Sequence, residues 1–374
     1  MGNIAKRPNG MWRARYRDAN GKEHASHHEK KGAAERWLVK QEAAVLTGTW
    51  VDPSAGRVTF RGYFDDWLTN RIYEDTTRRA VILAVDTTTF AEMPLSAIRR
   101  RHIEGWVKHL SAVRGLKPGT VHTRMNYVRK VFKAAVADQI IAHDPCDGVS
   151  LPATARRAAS MRVPTTEDVG RLLRGASEDF QAFVALCAFA GLRLGEAAAI
   201  QLDDVDFPRR VLHVQRQVQR LGGGEVELRA PKYGSVRNVP LSDGLTAMLA
   251  QHVGRRGLRA GADGSAFIFA TAAGTPPHQN TVGHQWRRTL GAAGLTNIKL
   301  HDLRHFYASG LIHDGCDVVT VQNALGHAKP TTTLNTYAHL WPTAEDRTRN
   351  SSATLLQEAL DAGDLDIDAG ARQM

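Results

Sequence analysis

The apolar pattern of the chain changes its period along its length, and this is what most constrains the fold. Trp12-Arg13-Ala14-Arg15-Tyr16-Arg17 alternates with a period of two. That predicts a strand with Trp12, Ala14 and Tyr16 toward a core and Arg13, Arg15 and Arg17 facing out. Asp18-Ala19-Asn20-Gly21 carries the Asn-Gly hairpin signal, so Glu23 to His27 reads as the return strand. His24, His27 and His28 read as strand and turn residues. From Gly32 the pattern becomes helical, with Ala34, Trp37, Leu38 and Val45 on one stripe. Trp50-Val51-Asp52-Pro53 then leads into a linker.

Residues 58–150 read as helical throughout. Phe60, Phe64, Trp67 and Leu68 recur at i, i+4, i+7 and i+8. A second helix is expected over about 100–112. A third runs from Thr120 to about Asp138, with Val121, Met125, Val128, Phe132 and Ala135 inside. Its other faces carry Arg124, Arg129, Lys130 and Lys133. Residues 75–95 are Thr-rich and too weakly periodic to assign. Asp144-Pro145 reads as the stop of the last helix. Residues 151–164, with Arg156 and Arg157, read as a basic linker.

Residues 165–350 begin on a capping-box pattern, Thr165-Thr166-Glu167-Asp168. An apolar helix is expected from Asp179 to Ala190. Strands follow at Val211–Val218, Val226–Leu228 and Arg237–Pro240, with turns at Gly222-Gly223-Gly224 and Tyr233-Gly234-Ser235. Beyond Leu241 the reading is helical to about Leu340, apart from a short strand at Phe267–Phe269. Residues 351–374 pair a short helix with an acidic tail. The expected class is therefore α+β and multidomain: a small N-terminal β-sheet plus helix, a helical domain, and a mainly α domain with a small antiparallel sheet.

No run of apolar residues is long enough for a membrane span. The N-terminus lacks the apolar core of a signal peptide. Cys146, Cys187 and Cys316 are odd in number and far apart, which suits neither a disulfide framework nor a zinc site. A reducing cytoplasm is the natural compartment. Lys+Arg 49 against Asp+Glu 38 leaves a net charge of +11. Residues 1–57 carry 11 basic and 6 acidic side chains, a net of +5, whereas the tail is acidic. A basic surface on several segments suits a long polyanion, and an ordinary solvated surface gives the same count.

Three short stretches carry the chemistry. They are Ala190-Gly191-Leu192-Arg193-Leu194-Gly195-Glu196, His301-Asp302-Leu303-Arg304-His305, and Leu325-Gly326-His327 with Tyr337 ten residues beyond the histidine. On a helix His301, Arg304 and His305 share a face. Two guanidinium groups can brace a phosphate through its non-bridging oxygens and stabilise charge growing there. A presented tyrosine can act as a nucleophile. Its phenol must lose a proton, which a histidine or a bracing cation can assist. The leaving 5′ oxygen needs a proton, and Lys232 sits on a hairpin within possible reach; Pro231-Lys232-Tyr233-Gly234 is equally compatible with a plain turn. An HExxH metal pattern is absent, because Asp302 and Arg304 break it. No metal and no cofactor is implied.

This set resembles the tyrosine recombinases, the phage-integrase family, over nearly the whole chain. The motifs AGLRLGE, HDLRH and LGH…Y stand in family order with family-like spacing. The interval from His327 to Tyr337 is one residue longer than in many members and suits the phage-integrase branch. The resemblance implies that residues 1–57 form an arm-type DNA-binding domain with a three-stranded sheet and a helix. It implies a helical core-type DNA-binding domain over 58–150, a linker over 151–164, a catalytic domain over 165–350 and a C-terminal helix and tail over 351–374. Arg193 and Arg304 would bind the phosphate, and His301 and His327 would hydrogen-bond it and assist proton transfer. Lys232 would be the general acid, Tyr337 the nucleophile, and Glu196 a support for Arg193. Arg13, Arg15, Arg17, Arg124, Arg129, Lys130, Lys133, Arg156 and Arg157 are the expected DNA contacts.

The function implied is site-specific cutting and rejoining of double-stranded DNA at attachment sites. It would proceed through a covalent 3′-phosphotyrosyl link, without metal or ATP, to integrate a phage or other mobile element. Implied partners are a homotetramer on synapsed DNA, a host DNA-bending protein and an excisionase, in a bacterial cytoplasm at the nucleoid. An Xer-like dimer resolvase is the alternative within the family, and residues 1–57 argue against it. A type IB topoisomerase lacks this motif wording. A non-catalytic DNA-binding regulator would have no need of the six site residues.

Overall fold

The computed structural model describes residues 2–18, 21–48, 50–52, 54–154, 162–220, 226–257, 261, 264–341 and 344–362. Asn20, Pro53, Arg156, Arg157, Gly222-Gly223-Gly224 and the acidic end of the tail lie outside them. The chain divides into two compact units, Met1–Thr154 and Ala155–Met374.

The first unit opens with an antiparallel sheet, β1 (Asn3–Lys6), β2 (Trp12–Arg17) and β3 (Glu23–His28), in that order. Ala14 lies opposite Ile4 and Ser26, and Tyr16 opposite His24. The alternation of β2 sends Ala14 and Tyr16 inward, where they meet Ala34 and Leu38 of α1 (Lys31–Leu46). The chain after α1 is fastened to this sheet. Trp50 Nε1 donates to Tyr16 Oη, and Lys22 Nζ lies 3.1 Å from Asp52 Oδ2. Residues 50–52 therefore belong to the small domain, and the linker expected there does not start before Asp52.

A second apolar cluster of this unit sits among α2 (Phe60–Thr69), α3 (Asp75–Asp86), α4 (Arg100–Lys108) and α5 (Pro118–Ala137). Thr59 Oγ1 accepts from Gly62 N at 3.0 Å and caps α2. Phe60, Phe64, Trp67 and Leu68 are all buried, as their spacing predicts. Helix α3 occupies the unassigned stretch. Only Val81, Ala84 and Val85 of its residues are buried, a stripe too narrow to read against the threonines and arginines around it. The helix expected over 100–112 ends as α4 at Lys108 and continues as a π-helical turn, His109–Val113. Helix α5 stops well before Asp144-Pro145. Gln139 takes a φ of 55°, and the amides of Ile140 and Ile141 both return to Ala135 O. Asp144 instead starts a turn, its Oδ1 accepting from Cys146 N at 2.8 Å.

In the second unit, α6 (Thr166–Gly175) starts on the expected box. Thr165 Oγ1 accepts from Asp168 N at 3.1 Å, and Asp168 Oδ2 from Thr165 N at 3.3 Å. Helix α7 (Glu178–Phe189) is buried along nearly its whole surface and centres the core. After the short α8 (Leu194–Ala198), the strands β4 (Val205–Asp206), β5 (Val211–Val214) and β8 (Arg237–Pro240) form an antiparallel sheet in the order β4-β5-β8. The strand expected over Val211–Val218 breaks in the middle. Its second half is β6 (Gln217–Arg220), which among the described residues pairs with β7 (Val226–Arg229). At the break Arg216 Nη1 lies 2.6 Å from Asp204 Oδ2. Phe267–Phe269 is not a strand: a single bridge, Phe267 to Gln201, replaces it. Its apolar side chains are buried by packing, with the Phe269 ring 5.1 Å from that of Phe183, and burial without pairing reads the same in sequence.

The α-helices that follow among the described residues are α9 (Asp243–Arg256), α10 (Gln279–Ala292), α11 (Leu300–His313), α12 (Val318–Leu325), α13 (Pro330–Tyr337) and α14 (Ala344–Ala362). Helices α6, α9 and α11 pack on α7. A smaller cluster of Ala308, Ile312, Val321, Leu325 and Tyr337 ties α11, α12 and α13 together.

Candidate active site

Four chain segments converge on one cleft of about 640 Å³, lined by Arg193, Lys299, His301, Arg304, His305, His327, Lys329 and Tyr337 among others. Arg193 comes from the loop before α8. Helix α11 supplies His301, Arg304 and His305 from the one face that their spacing predicts. His327 follows α12, and Tyr337 closes α13. Local chemistry sets each segment. Asp302 Oδ2 accepts from Lys299 N at 2.8 Å and starts α11; Asp317 Oδ1 accepts from Thr320 N at 2.7 Å and starts α12. Gly326 ends α12 in the left-handed region, φ 63°, and turns the chain so that His327 enters the cleft. Pro330 begins α13, where its missing amide proton is harmless.

The cleft is strongly cationic, and its arginines are braced. Glu196 is fully buried. Its Oε1 lies 2.7 Å from Arg193 Nη1, and its Oε2 lies 2.9 Å from Arg237 Nη2 while also accepting from Arg193 N at 3.0 Å. Burial pushes the Glu196 carboxyl up, but the hydrogen bond and charge of Arg237, then Arg193 and Arg304, outweigh this and hold it down at about 2. Arg237 also donates from Nε to Ala324 O at 3.0 Å, which joins β8 to the end of α12. Arg304 is 1% exposed and donates to the carbonyls of Gly191 and Leu325. Burial, then Arg193, lowers its guanidinium to about 9, so it keeps its proton at neutral pH.

His301 and His327 are both shifted toward their neutral form. Loss of water, then Arg304 and Arg193, lowers His327 to about 3, and its Nδ1 lies 2.9 Å from Thr333 Oγ1. Loss of water in the cleft, then His305 and Arg304, lowers His301 to about 4. Tyr337 is 1% exposed, and burial pushes its phenol up to about 12 against the opposing pull of Arg304 and Arg193. Its Oη lies 2.7 Å from His305 Nδ1.

Of the residues singled out in the sequence, Arg193, His301, Arg304, His327 and Tyr337 line the cleft, and Glu196 lies directly behind Arg193. Lys232 does not line it. It is exposed in the turn Lys232–Gly234, next to Ser235, whose Oγ accepts from Arg193 Nη1 at 3.4 Å. Sequence reasoning missed Arg237 and the partnership of His305 with Tyr337. Arg237 carried a readable signal: it shares the inward register of β8 with Val239, and an inward guanidinium demands a buried carboxylate. The contact of His305 carried none, because its partner lies on another helix. Among the described residues no group of three or more His, Cys, Asp or Glu side chains is arranged to hold a metal ion.

The expected DNA contacts divide into two groups. Arg13 and Arg15 lie 3.3 and 3.6 Å from the two oxygens of Glu23, and Arg17 Nη1 donates to Gly21 O at 3.0 Å. On α5, Arg129, Lys130 and Lys133 line a shallow polar concavity with Thr123, Asn126 and Tyr127. Arg129 also donates from Nη2 to Cys146 O at 2.8 Å, so part of it is structural. Arg124 is half-buried, and burial, then Arg114, lowers its guanidinium.

Comparison with known proteins gives the family. The phage integrase family model matches residues 165–343, and the model of the phage integrase N-terminal domain matches residues 1–47. Tyrosine recombinase XerC of Pseudomonas entomophila is 31% identical over 227 residues, which cover 58% of this chain and 68% of that protein. The chain is a tyrosine recombinase of the phage integrase family. A putative prophage phiRv2 integrase of Mycobacterium tuberculosis is 25% identical over 366 residues and 95% of both chains. The ICEBs1 integrase of Bacillus subtilis is 29% identical over 264 residues, 68% of this chain and 70% of that protein. The fold is shared with the Tn1549 transposon integrase solved with circular intermediate DNA, at a TM-score of 0.69 and 19% identity over 79% of this chain and 99% of that one. It is shared also with the lambda integrase tetramer bound to a Holliday junction, at a TM-score of 0.57 and 19% identity over 88% and 96%. Tyrosine recombinase activity on DNA follows in general from membership. No helix among the described residues is long and apolar enough to cross a membrane.

Proposed function

We propose that this tyrosine recombinase is an integrase that joins a phage or other mobile element to a bacterial chromosome. Tyr337 attacks the scissile phosphate and leaves a 3′-phosphotyrosyl link and a free 5′-OH. The bond energy stays in the enzyme–DNA ester, so rejoining needs no ATP. Arg193 and Arg304 hold the non-bridging oxygens and stabilise the charge of the transition state, in the role a metal ion takes elsewhere. Glu196 holds Arg193 ready. His301 and His327, neutral in the cleft, donate hydrogen bonds to the phosphate. Lys232 gives a proton to the 5′ oxygen, which requires its turn to move toward the cleft on DNA.

The observation that carries this reading is the tyrosine hydroxyl buried in one cationic cleft with both arginines and both histidines. The N-terminal match to phage integrases favours an integrase over an Xer-like resolvase. On this reading the small sheet domain binds arm-type sites, and the helical domain binds the core site through Arg124, Arg129, Lys130 and Lys133. The protein works as a tetramer on synapsed attachment sites, with a host DNA-bending protein and an excisionase as further partners. The test is Tyr337→Phe on a nicked suicide duplex. Covalent trapping should vanish while specific binding stays within about twofold of wild type, because only a hydroxyl is removed. An adduct mapped to another tyrosine would overturn the assignment.

A further inference from the structure

We propose that His305 receives the phenol proton of Tyr337 as the phosphotyrosyl bond forms; this rests on the reading of Tyr337 as nucleophile. His305 Nδ1 lies 2.7 Å from Tyr337 Oη, and the two rings meet at 5.5 Å between centroids with an interplanar angle of 63°. That is the reach a general base needs. Nδ1 can accept the proton when Nε2 carries the hydrogen of the neutral ring.

Among the described residues, Tyr337 Oη has a hydrogen bond to His305 and to no other candidate of the cleft. His327 turns its Nδ1 to Thr333. Arg304 is a protonated guanidinium that donates to the carbonyls of Gly191 and Leu325, and it has no lone pair to accept a proton. Glu196 lies behind Arg193 and contacts the arginines. His301 stands against the His305 ring, at 5.0 Å between centroids and 79°. A proton placed on His305 is thus carried by a ring whose edge already meets the reacting oxygen.

The step balances. The Tyr337 Oη–P bond forms as the P–O5′ bond breaks. The phenol proton moves to His305 Nδ1, the electron pair of the broken bond leaves on O5′, and that oxygen takes its proton from the general acid. On rejoining, the 5′-OH attacks phosphorus and gives its proton back to the conjugate base of that acid, the Tyr337 Oη–P bond breaks, and the imidazolium returns its proton to the departing phenolate.

The test compares full-length wild type, His305→Ala, His305→Asn, Lys232→Ala and Tyr337→Phe in single-turnover cleavage. The substrate is a nicked duplex carrying the sequence that the purified chain protects in a footprint, made with oxygen or with sulfur at the 5′ bridging position. Melting and binding controls accompany each variant. Both His305 variants should bind as wild type and cleave roughly 10²–10⁴-fold more slowly. Bridging sulfur should leave that deficit in place, because a thiolate departs without a proton, and should remove the deficit of Lys232→Ala. Asparagine can hold the phenol but cannot take its proton. Wild-type cleavage by His305→Asn would reduce His305 to a positioning role and overturn the proposal. So would rescue of His305→Ala by sulfur, which would make His305 the acid. Cleavage by Tyr337→Phe would instead overturn the nucleophile, a separate failure.

Discussion

At the scale of single residues, the site depends on one carboxylate. Glu196 has no exposure and faces two guanidinium groups, so its charge is stabilised only while both remain. Glu196→Gln should cost about 3–5 kcal/mol, the usual cost of breaking a buried pair, and should loosen Arg193. Thermal melting and single-turnover cleavage measure the two effects. The pH dependence has a definite sign. The folded carboxyl is held down at about 2, below its ordinary value, so its contribution is present above the ordinary carboxylate range. It is lost as pH falls from about 5 toward 2, and amounts to about 3 kcal/mol. The stability gap between wild type and Glu196→Gln should therefore narrow over that window; a gap independent of pH would refute the paired carboxylate. Glu196 was legible because it follows Arg193 by one helical turn. For Arg237 only half was legible: the alternation of β8 turns it inward, but a strand pattern does not show which residue waits there.

At the scale of elements, the decisive contact is that of α8 against β6. A Cβ built on Gly195 would meet the backbone oxygen of Val218 at 2.8 Å, and a backbone atom cannot swing aside. Gly195→Ala should push α8 off the hairpin, carrying Arg193 and Glu196 with it. The expected loss is about 1–3 kcal/mol of stability, with cleavage falling further than DNA binding. A melting curve and a suicide-substrate assay on the same preparation decide it; equal falls in both would show that α8 does not set the site. Caps and stripes were readable here: the Thr165 box, the stripe of α2 and the shared face of α11 all follow from spacing. The break between β5 and β6 was not readable. Val211–Val218 is one β-prone run, and only the exchange of partner from β8 to β7 divides it.

At the scale of the whole molecule, the functional reading gives the small sheet domain its own DNA site. Its arginines are already engaged, since Arg13 and Arg15 share Glu23. These exposed pairs are weak, so a phosphate can replace the carboxylate at little cost. Replacing Arg13, Arg15 and Arg17 with Ala should weaken arm-site binding and flatten its salt dependence, by about one in slope for each phosphate that an arginine no longer neutralises. Core-site cleavage should survive, because the cleft lies wholly within residues 165–341. Footprinting across a salt series, beside cleavage of a core-only duplex, checks both arms. An unchanged slope would mean that the stripe does not touch DNA.

The sequence alone determined the period changes that separate sheet from helices, the basic character of the chain and the three motifs that bring the arginines, histidines and tyrosine to one reading. These are local properties: spacing along a helix, alternation along a strand, a cap three residues away. Only the tertiary structure decided that Arg237 completes the brace around Glu196, that Lys232 stays outside the cleft, and that the Tyr337 hydroxyl rests on His305. Each of those depends on the distance between segments far apart in the chain, which is fixed by how α8, β8, α11 and α13 pack and leaves no mark in the spacing of any one of them.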